Sequence, residues 1–194
     1  MADFFLRLSP VKLYLPAKMS NLQTKFFLIG MMGAGKSYWA KKLAQLYRVP
    51  AFDIDAIIEE NTGETIQKIF AGEGGEERFR VLEKKVLRET AWPDACFIAC
   101  GGGLPCFFDN MDFMSVSGTV IWLNPKPEVL AERLWNQQGI RPLVAACSTK
   151  ADLVKTLNNL QNSRVKFYSR AQVIVPGNPD EAAIVQVIEN SLIA

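Results

Sequence analysis

An α/β fold of three layers, with helices on both sides of a five-stranded parallel sheet, follows from three features of this sequence. Apolar runs and helical patterns alternate along the chain. The runs are almost continuously apolar, as strands buried on both faces must be. One strand, one glycine-rich loop and one helix follow each other directly between Phe26 and Tyr47.

The expected strands are residues 26–30, 51–54, 96–100, 119–123 and 172–175. The first contains Phe26-Phe27-Leu28-Ile29, an apolar run of strand length. The expected helices are residues 36–47, 76–90, 126–135, 151–167 and 179–193. In the first helix, Trp39, Leu43, Leu46 and Tyr47 recur at helical spacing. Two stretches break the alternation. Residues 62–75 carry four glycines between short helical pieces. Residues 136–150 contain Gly139, Arg141 and Pro142 among small residues. Both read as mobile segments over a site. In a sheet of this kind, ligands belong at the carboxyl ends of the strands.

The chain has 194 residues, enough for one domain with a sizeable core. Residues 25–194 read as that domain and residues 1–24 as an N-terminal extension. An organelle-targeting segment competes for the extension, on Arg7, Lys12 and Lys18. Two serines and no arginine enrichment argue against it, and Met19 is an alternative start. The net charge of +2 gives no electrostatic case for nucleic acid or an anionic membrane as partner. No apolar run approaches the ~20 residues of a membrane helix. Cys96, Cys100, Cys106 and Cys147 form no C-x-x-C pair, which favours free thiols in a reducing cytoplasm. There is no histidine. That excludes Ser-His-Asp, papain-like and histidine–zinc catalysis and leaves carboxylate, lysine, tyrosine or cysteine as a general base.

Gly30-Met31-Met32-Gly33-Ala34-Gly35-Lys36-Ser37 fits G-x-x-x-x-G-K-[ST], the phosphate-binding P-loop. Backbone N–H groups and a helix N-terminus converge there on phosphate. Lys36 is placed to reach the β- and γ-phosphates, and the Ser37 hydroxyl to reach Mg²⁺. Phe52-Asp53-Ile54-Asp55 ends the second strand, and acids at i and i+2 share one side of a strand. One acid then serves the magnesium shell and the other an acceptor hydroxyl. In the competing reading, Asp55 caps the following helix. Gly101-Gly102-Gly103 follows the third strand, where glycines admit a substrate to the backbone. Taken alone, Arg80 and Arg164 are read as solvated surface residues.

The series GMMGAGKS, FDIDAIIEENTG, IFAGEGGEERFRVLE, CGGG, IRPL and SRVKFY, in that order, resembles the shikimate kinases over residues 25–193. The P-loop alone is shared by many families; the whole series is far more restrictive. The resemblance implies a P-loop kinase fold that uses ATP and Mg²⁺ to phosphorylate the shikimate 3-hydroxyl. It implies a cytoplasmic enzyme of aromatic amino acid biosynthesis, expected as a monomer. Asp55 would be the base or orienter at the acceptor oxygen. Arg80 and Arg164 would grip the substrate carboxylate. Gly101, Gly102 and Gly103 would line the acceptor pocket. Gly33, Ala34, Gly35, Lys36, Ser37 and Tyr38 would hold the nucleotide. Arg141, on the lid, would meet its phosphates. Lys36 and Arg141 would share the catalytic work with Asp55, and Asp53 would join Ser37 in the metal environment. Arg133 matches, more loosely, an arginine near the adenine ring, and residues 176–179 are where base contacts are expected.

The residue chemistry agrees. Arginine offers a carboxylate a forked pair of donors that lysine does not match. Phosphoryl transfer needs alignment and charge neutralisation more than covalent help. The chain departs from the family pattern at Tyr38-Trp39, where small hydroxyl or aliphatic residues are usual, and at Cys100, where a small hydroxyl residue is usual. Cys100 is either a reagent-sensitive site residue or core packing. A kinase for another small acid such as gluconate, and an inactive nucleotide-binding module, are the competing readings. A GTPase switch is weaker, because no N-K-x-D guanine signature is present.

Overall fold

The computed structural model describes residues 23–136 and 147–193. Its strands are β1 (Lys25–Ile29), β2 (Ala51–Asp53), β3 (Cys96–Ala99), β4 (Thr119–Asn124) and β5 (Val173–Pro176). They form one parallel sheet in the order β2-β3-β1-β4-β5. The helices are α1 (Lys36–Tyr47), α2 (Ile54–Thr62), α3 (Ile66–Ala71), α4 (Gly75–Glu89), α5 (Asn110–Ser117), α6 (Pro127–Trp135), α7 (Lys150–Tyr168) and α8 (Glu181–Ile193).

Strand β1 sits at the centre, between β3 and β4. Phe26, Phe27, Leu28 and Ile29 are all fully buried, and so is the whole of β3. A strand buried at consecutive residues must be covered on both faces, which is why its sequence does not alternate. Phe26 stacks on Phe97 of β3 with ring centroids 4.8 Å apart. Burying each such side chain contributes about 1.5–3 kcal/mol. Helix α1 packs over β1, β2 and β3, while α8 packs on β5 and α6 on α7.

Because all strands run the same way, their carboxyl ends share one edge. The loop after β1, helix α2 after β2 and the three glycines after β3 therefore meet there. Gly30 is where β1 leaves the sheet, at φ 135°. A Cβ at this position would run into the Leu123 carbonyl oxygen of β4, so no other residue makes this exit without strain.

Two local expectations are revised. Strand β2 stops at Asp53, so Asp53 and Asp55 do not share a strand face; Asp55 lies in the first turn of α2. The helix cap is Asp53, whose Oδ1 accepts from the N–H groups of Asp55 and Ala56 at 3.0 and 3.4 Å. Residues 110–117 form a helix where none was expected. Residues 62–75 are organised around α3, which Thr65 caps.

Candidate active site

Helix α1 begins with no capping side chain and no acid in its first turn, and Gly35 occupies its cap position at φ 91°. A cation, Lys36, stands there instead, against the sense of the helix dipole. This is the arrangement of an anion site: orphan N–H groups and an ammonium gathered at one point. Lys36 Nζ donates to the carbonyl oxygens of Gly30 and Met31, both at 3.0 Å. The loop's curvature comes from Gly33 and Gly35, at φ 78° and 91°. Ala34 is buried beneath it, and its N–H donates to the Met31 carbonyl at 3.2 Å. Arg133 of α6 fastens the loop from outside. Its Nη1 donates to the Gly33 carbonyl at 2.8 Å and its Nη2 to Asn178 Oδ1 at 2.6 Å.

Ser37 Oγ donates to Asp53 Oδ2 at 2.5 Å. The helix cap engages Oδ1, so Asp53 has one oxygen committed to structure and the other directed at the loop. Among the described residues no group of three His, Cys, Asp or Glu side chains could hold a metal by itself. Two protein oxygens beside a phosphate loop are nonetheless the donor set Mg²⁺ takes, since it keeps several waters and draws other ligands from phosphates.

Across the cleft, α4 and α7 each supply an arginine. Arg80 is buried rather than solvated, at 7% exposure. Its Nε and Nη2 donate to Glu76 Oε1 at 3.1 and 2.7 Å, and its Nη1 donates to Glu83 Oε2 at 2.6 Å. Its guanidinium also lies 4.4 Å from the Phe107 ring centre. Three of the five guanidinium N–H groups are thereby engaged. Arg164 is half-buried and lies beside Gly102; a Cβ on Gly102 would stand 3.4 Å from its Nη1. The triplet has no room for side chains. A Cβ on Gly101 would strike Glu83 Oε1, and one on Gly103 would strike the Arg80 guanidinium. Tyr168 donates its hydroxyl to the Gly102 carbonyl and fixes the triplet's backbone.

Lys36, Ser37, Asp53, Asp55, Arg80, the glycine triplet and Arg164 line one continuous cleft of about 1510 Å³. Asp55 Oδ1 lies next to Gly101. Arg141 falls outside the described residues. Cys100 also borders the cleft, but its thiol packs at 3.8 Å from Met114 Sδ, and burial pushes its pKa well above the ordinary value. A thiol held protonated is a poor nucleophile, which favours the packing reading. All four cysteines are free.

Glu83 carries more of the site than the sequence suggested. It is fully buried, and burial pushes its carboxyl up to about 7 against the opposing pull of Arg80. Its signal was a lone acid on the apolar face of α4, in step with Phe79, Val86 and Leu87. A raised carboxyl means that the folded state holds its proton more tightly than the unfolded chain. This group's stabilising contribution is full below about 4.5 and is lost as pH rises to about 7. The difference in melting temperature between Glu83→Gln and the parent should therefore move in the variant's favour across that window. Calorimetry at several pH values checks this, and a pH-independent difference would contradict it.

An uncapped phosphate loop facing a pair of arginines across a shared cleft, on a five-stranded parallel sheet, defines a P-loop kinase for a small acceptor. The chain belongs to the shikimate kinase family, whose profile matches residues 32–192. The shikimate kinase of Azobacteroides pseudotrichonymphae is 41% identical over 152 residues, covering 77% of this chain and 88% of that protein. A shikimate kinase structure from Bacteroides thetaiotaomicron superposes with a TM-score of 0.71 at 35% identity, covering 86% of this chain and 95% of that one. A structure of the Acinetobacter baumannii shikimate kinase in complex with shikimate superposes with a TM-score of 0.77 at 30% identity. It covers 92% of this chain and 97% of that one.

Proposed function

We infer that this enzyme transfers the γ-phosphoryl group of ATP to the 3-hydroxyl of shikimate, giving shikimate 3-phosphate and ADP. One observation supports this reading most: Arg80 is buried and held by two glutamates, and its guanidinium lies against Gly103 while that of Arg164 lies against Gly102. A buried arginine oriented in this way is suited to a carboxylate and ill-suited to a neutral sugar. The acceptor-side residues are Asp55, Arg80, Gly101, Gly102, Gly103 and Arg164. The donor-side residues are Gly33, Ala34, Gly35, Lys36, Ser37 and Tyr38, together with Arg141. Asp55 orients the attacking hydroxyl and accepts its proton. Arg80 and Arg164 fix the acceptor's far end, so that one hydroxyl of three is presented to the donor. Lys36 stabilises charge developing on the phosphoryl oxygens. Ser37 directly, and Asp53 through water, would hold Mg²⁺, which would supply charge neutralisation at the phosphates. A monomer suffices for this chemistry, because every group named belongs to one chain.

ADP release measured separately with shikimate, quinate and gluconate tests the assignment. Shikimate should stimulate release well above background hydrolysis, and gluconate should not. Stimulation by gluconate alone would favour the other small-acid kinase reading. The carboxylate grip has its own check. Arg80→Lys and Arg164→Lys should each raise the Michaelis constant for shikimate about 10- to 100-fold, as a lost charged hydrogen bond does, and leave that for ATP nearly unchanged. Equal effects on both constants would remove the two arginines from carboxylate binding.

A further inference from the structure

Tyr38 and Trp39 break the pattern of the family resemblance, and a phosphate loop does not require an aromatic ring at either position. Trp39 is buried, and its ring lies 3.5 Å from where a Cβ on Gly35 would be, so it packs beneath the phosphate loop. Tyr38 is different. It is 59% exposed, yet it borders the same cleft as Lys36 and Ser37. Its ring is not loose: it meets the Trp39 ring edge-on, with centroids 5.2 Å apart at 76°. Lys42, one turn further along α1, places its ammonium 5.6 Å from the Tyr38 ring centre and 5.4 Å from that of Trp39. Lys42 is in turn paired with Glu181 of α8 at 2.9 Å. Hydrogen bonds that Lys42 donates to Glu181 and then to Tyr38 raise its pKa. A chain of contacts thus runs from the ring, through Lys42, to the start of α8. The preceding loop carries Asn178, which Arg133 holds.

The position of this cluster decides its partner. Lys36 and Ser37 face the terminal phosphates, and the acceptor pocket lies beyond them at Asp55. Tyr38 is the next residue in α1's first turn, and the Lys42 ammonium over its ring ties it, through Glu181, to the chain segment that carries Asn178, the partner of Arg133. That region is where the remainder of a nucleotide extends once its phosphates occupy the loop. A ring already held by an edge contact and a cation costs little to order and offers an open face for stacking.

We propose that Tyr38, braced by Trp39 and the Lys42–Glu181 pair, is a nucleotide-recognition residue that stacks on the nucleoside part of the phosphate donor. The proposal rests on the donor site assigned above and is independent of the acceptor's identity. Base–aromatic stacking is sequence-tolerant, so the ring adds affinity for any nucleoside rather than selecting adenine.

The test is a calorimetric titration of the intact chain with two probes, ADP and inorganic tripolyphosphate, without acceptor. Tyr38→Thr should weaken ADP binding by about fivefold or more while leaving tripolyphosphate affinity unchanged. Tyr38→Phe, which keeps the ring, should bind both probes as the parent does. Unchanged or tighter ADP binding by Tyr38→Thr would overturn the proposal. Parallel weakening of both probes would overturn it too, because that is the signature of a disturbed phosphate loop. A Phe variant as weak as the Thr variant would assign the effect to the hydroxyl and reject the stacking. Because no acceptor is present, a chain that failed to phosphorylate shikimate could still pass this test.

Discussion

Asp55→Asn should lower the turnover number by about 10²–10⁴, the range of a lost general base, while ADP binding stays close to that of the parent. The substitution keeps size and removes the charge proposed to accept the hydroxyl proton. It also spares the fold, because the cap of α2 is Asp53 and not Asp55. The neighbouring change, Asp53→Asn, lacks that selectivity: Asp53 both caps α2 and accepts from Ser37. Steady-state turnover with saturating shikimate and ATP, beside an ADP titration, checks the prediction. Near-normal turnover in Asp55→Asn would remove Asp55 as base or orienter. The absence of histidine makes that result decisive, since few other side chains could take its place.

Lys36→Met should lower turnover by about 10²–10³, as expected when one preorganised stabiliser of transition-state charge is removed. Methionine retains an unbranched apolar stem and loses only the ammonium. Nucleotide affinity should fall as well, for two reasons. The positive charge at the α1 N-terminus disappears, and the ties from Nζ to the Gly30 and Met31 carbonyls go with it. Turnover within tenfold of the parent would show that the loop's N–H groups do this work without the lysine. The pattern across the two variants is as informative as either alone. Asp55→Asn separates turnover from nucleotide binding, and Lys36→Met does not.

The parallel sheet was legible because β1, β3 and β4 are buried on both faces, which leaves long apolar runs in the sequence. The phosphate loop was legible because close backbone approach to an anion demands glycine at fixed spacing. Helix α5 was not, because Asn110–Ser117 is short and only weakly amphipathic. The end of β2 was misjudged by one residue, since an apolar Ile54 continues a strand pattern as readily as it opens a helix. Roles within the D-x-D pair were open for the same reason; only backbone geometry separates Asp53, which caps α2, from Asp55 in its first turn. Arg80 looked solvated because charge in a helix usually is, and its burial depends on Glu83, Glu76 and Phe107 closing around it. Glu83 was visible as part of F-R-x-x-E, but spacing alone does not reveal that its carboxyl is fully buried beside Gly101.

Phosphorus and proton NMR of a reaction mixture containing ATP, Mg²⁺, shikimate and the intact chain observes the transfer itself. One new phosphate ester should form in equal amount to ADP, with its phosphorus coupled to the proton on C3 of the shikimate ring. Release of inorganic phosphate without an ester, or an ester on a different hydroxyl, would contradict transfer to the 3-hydroxyl.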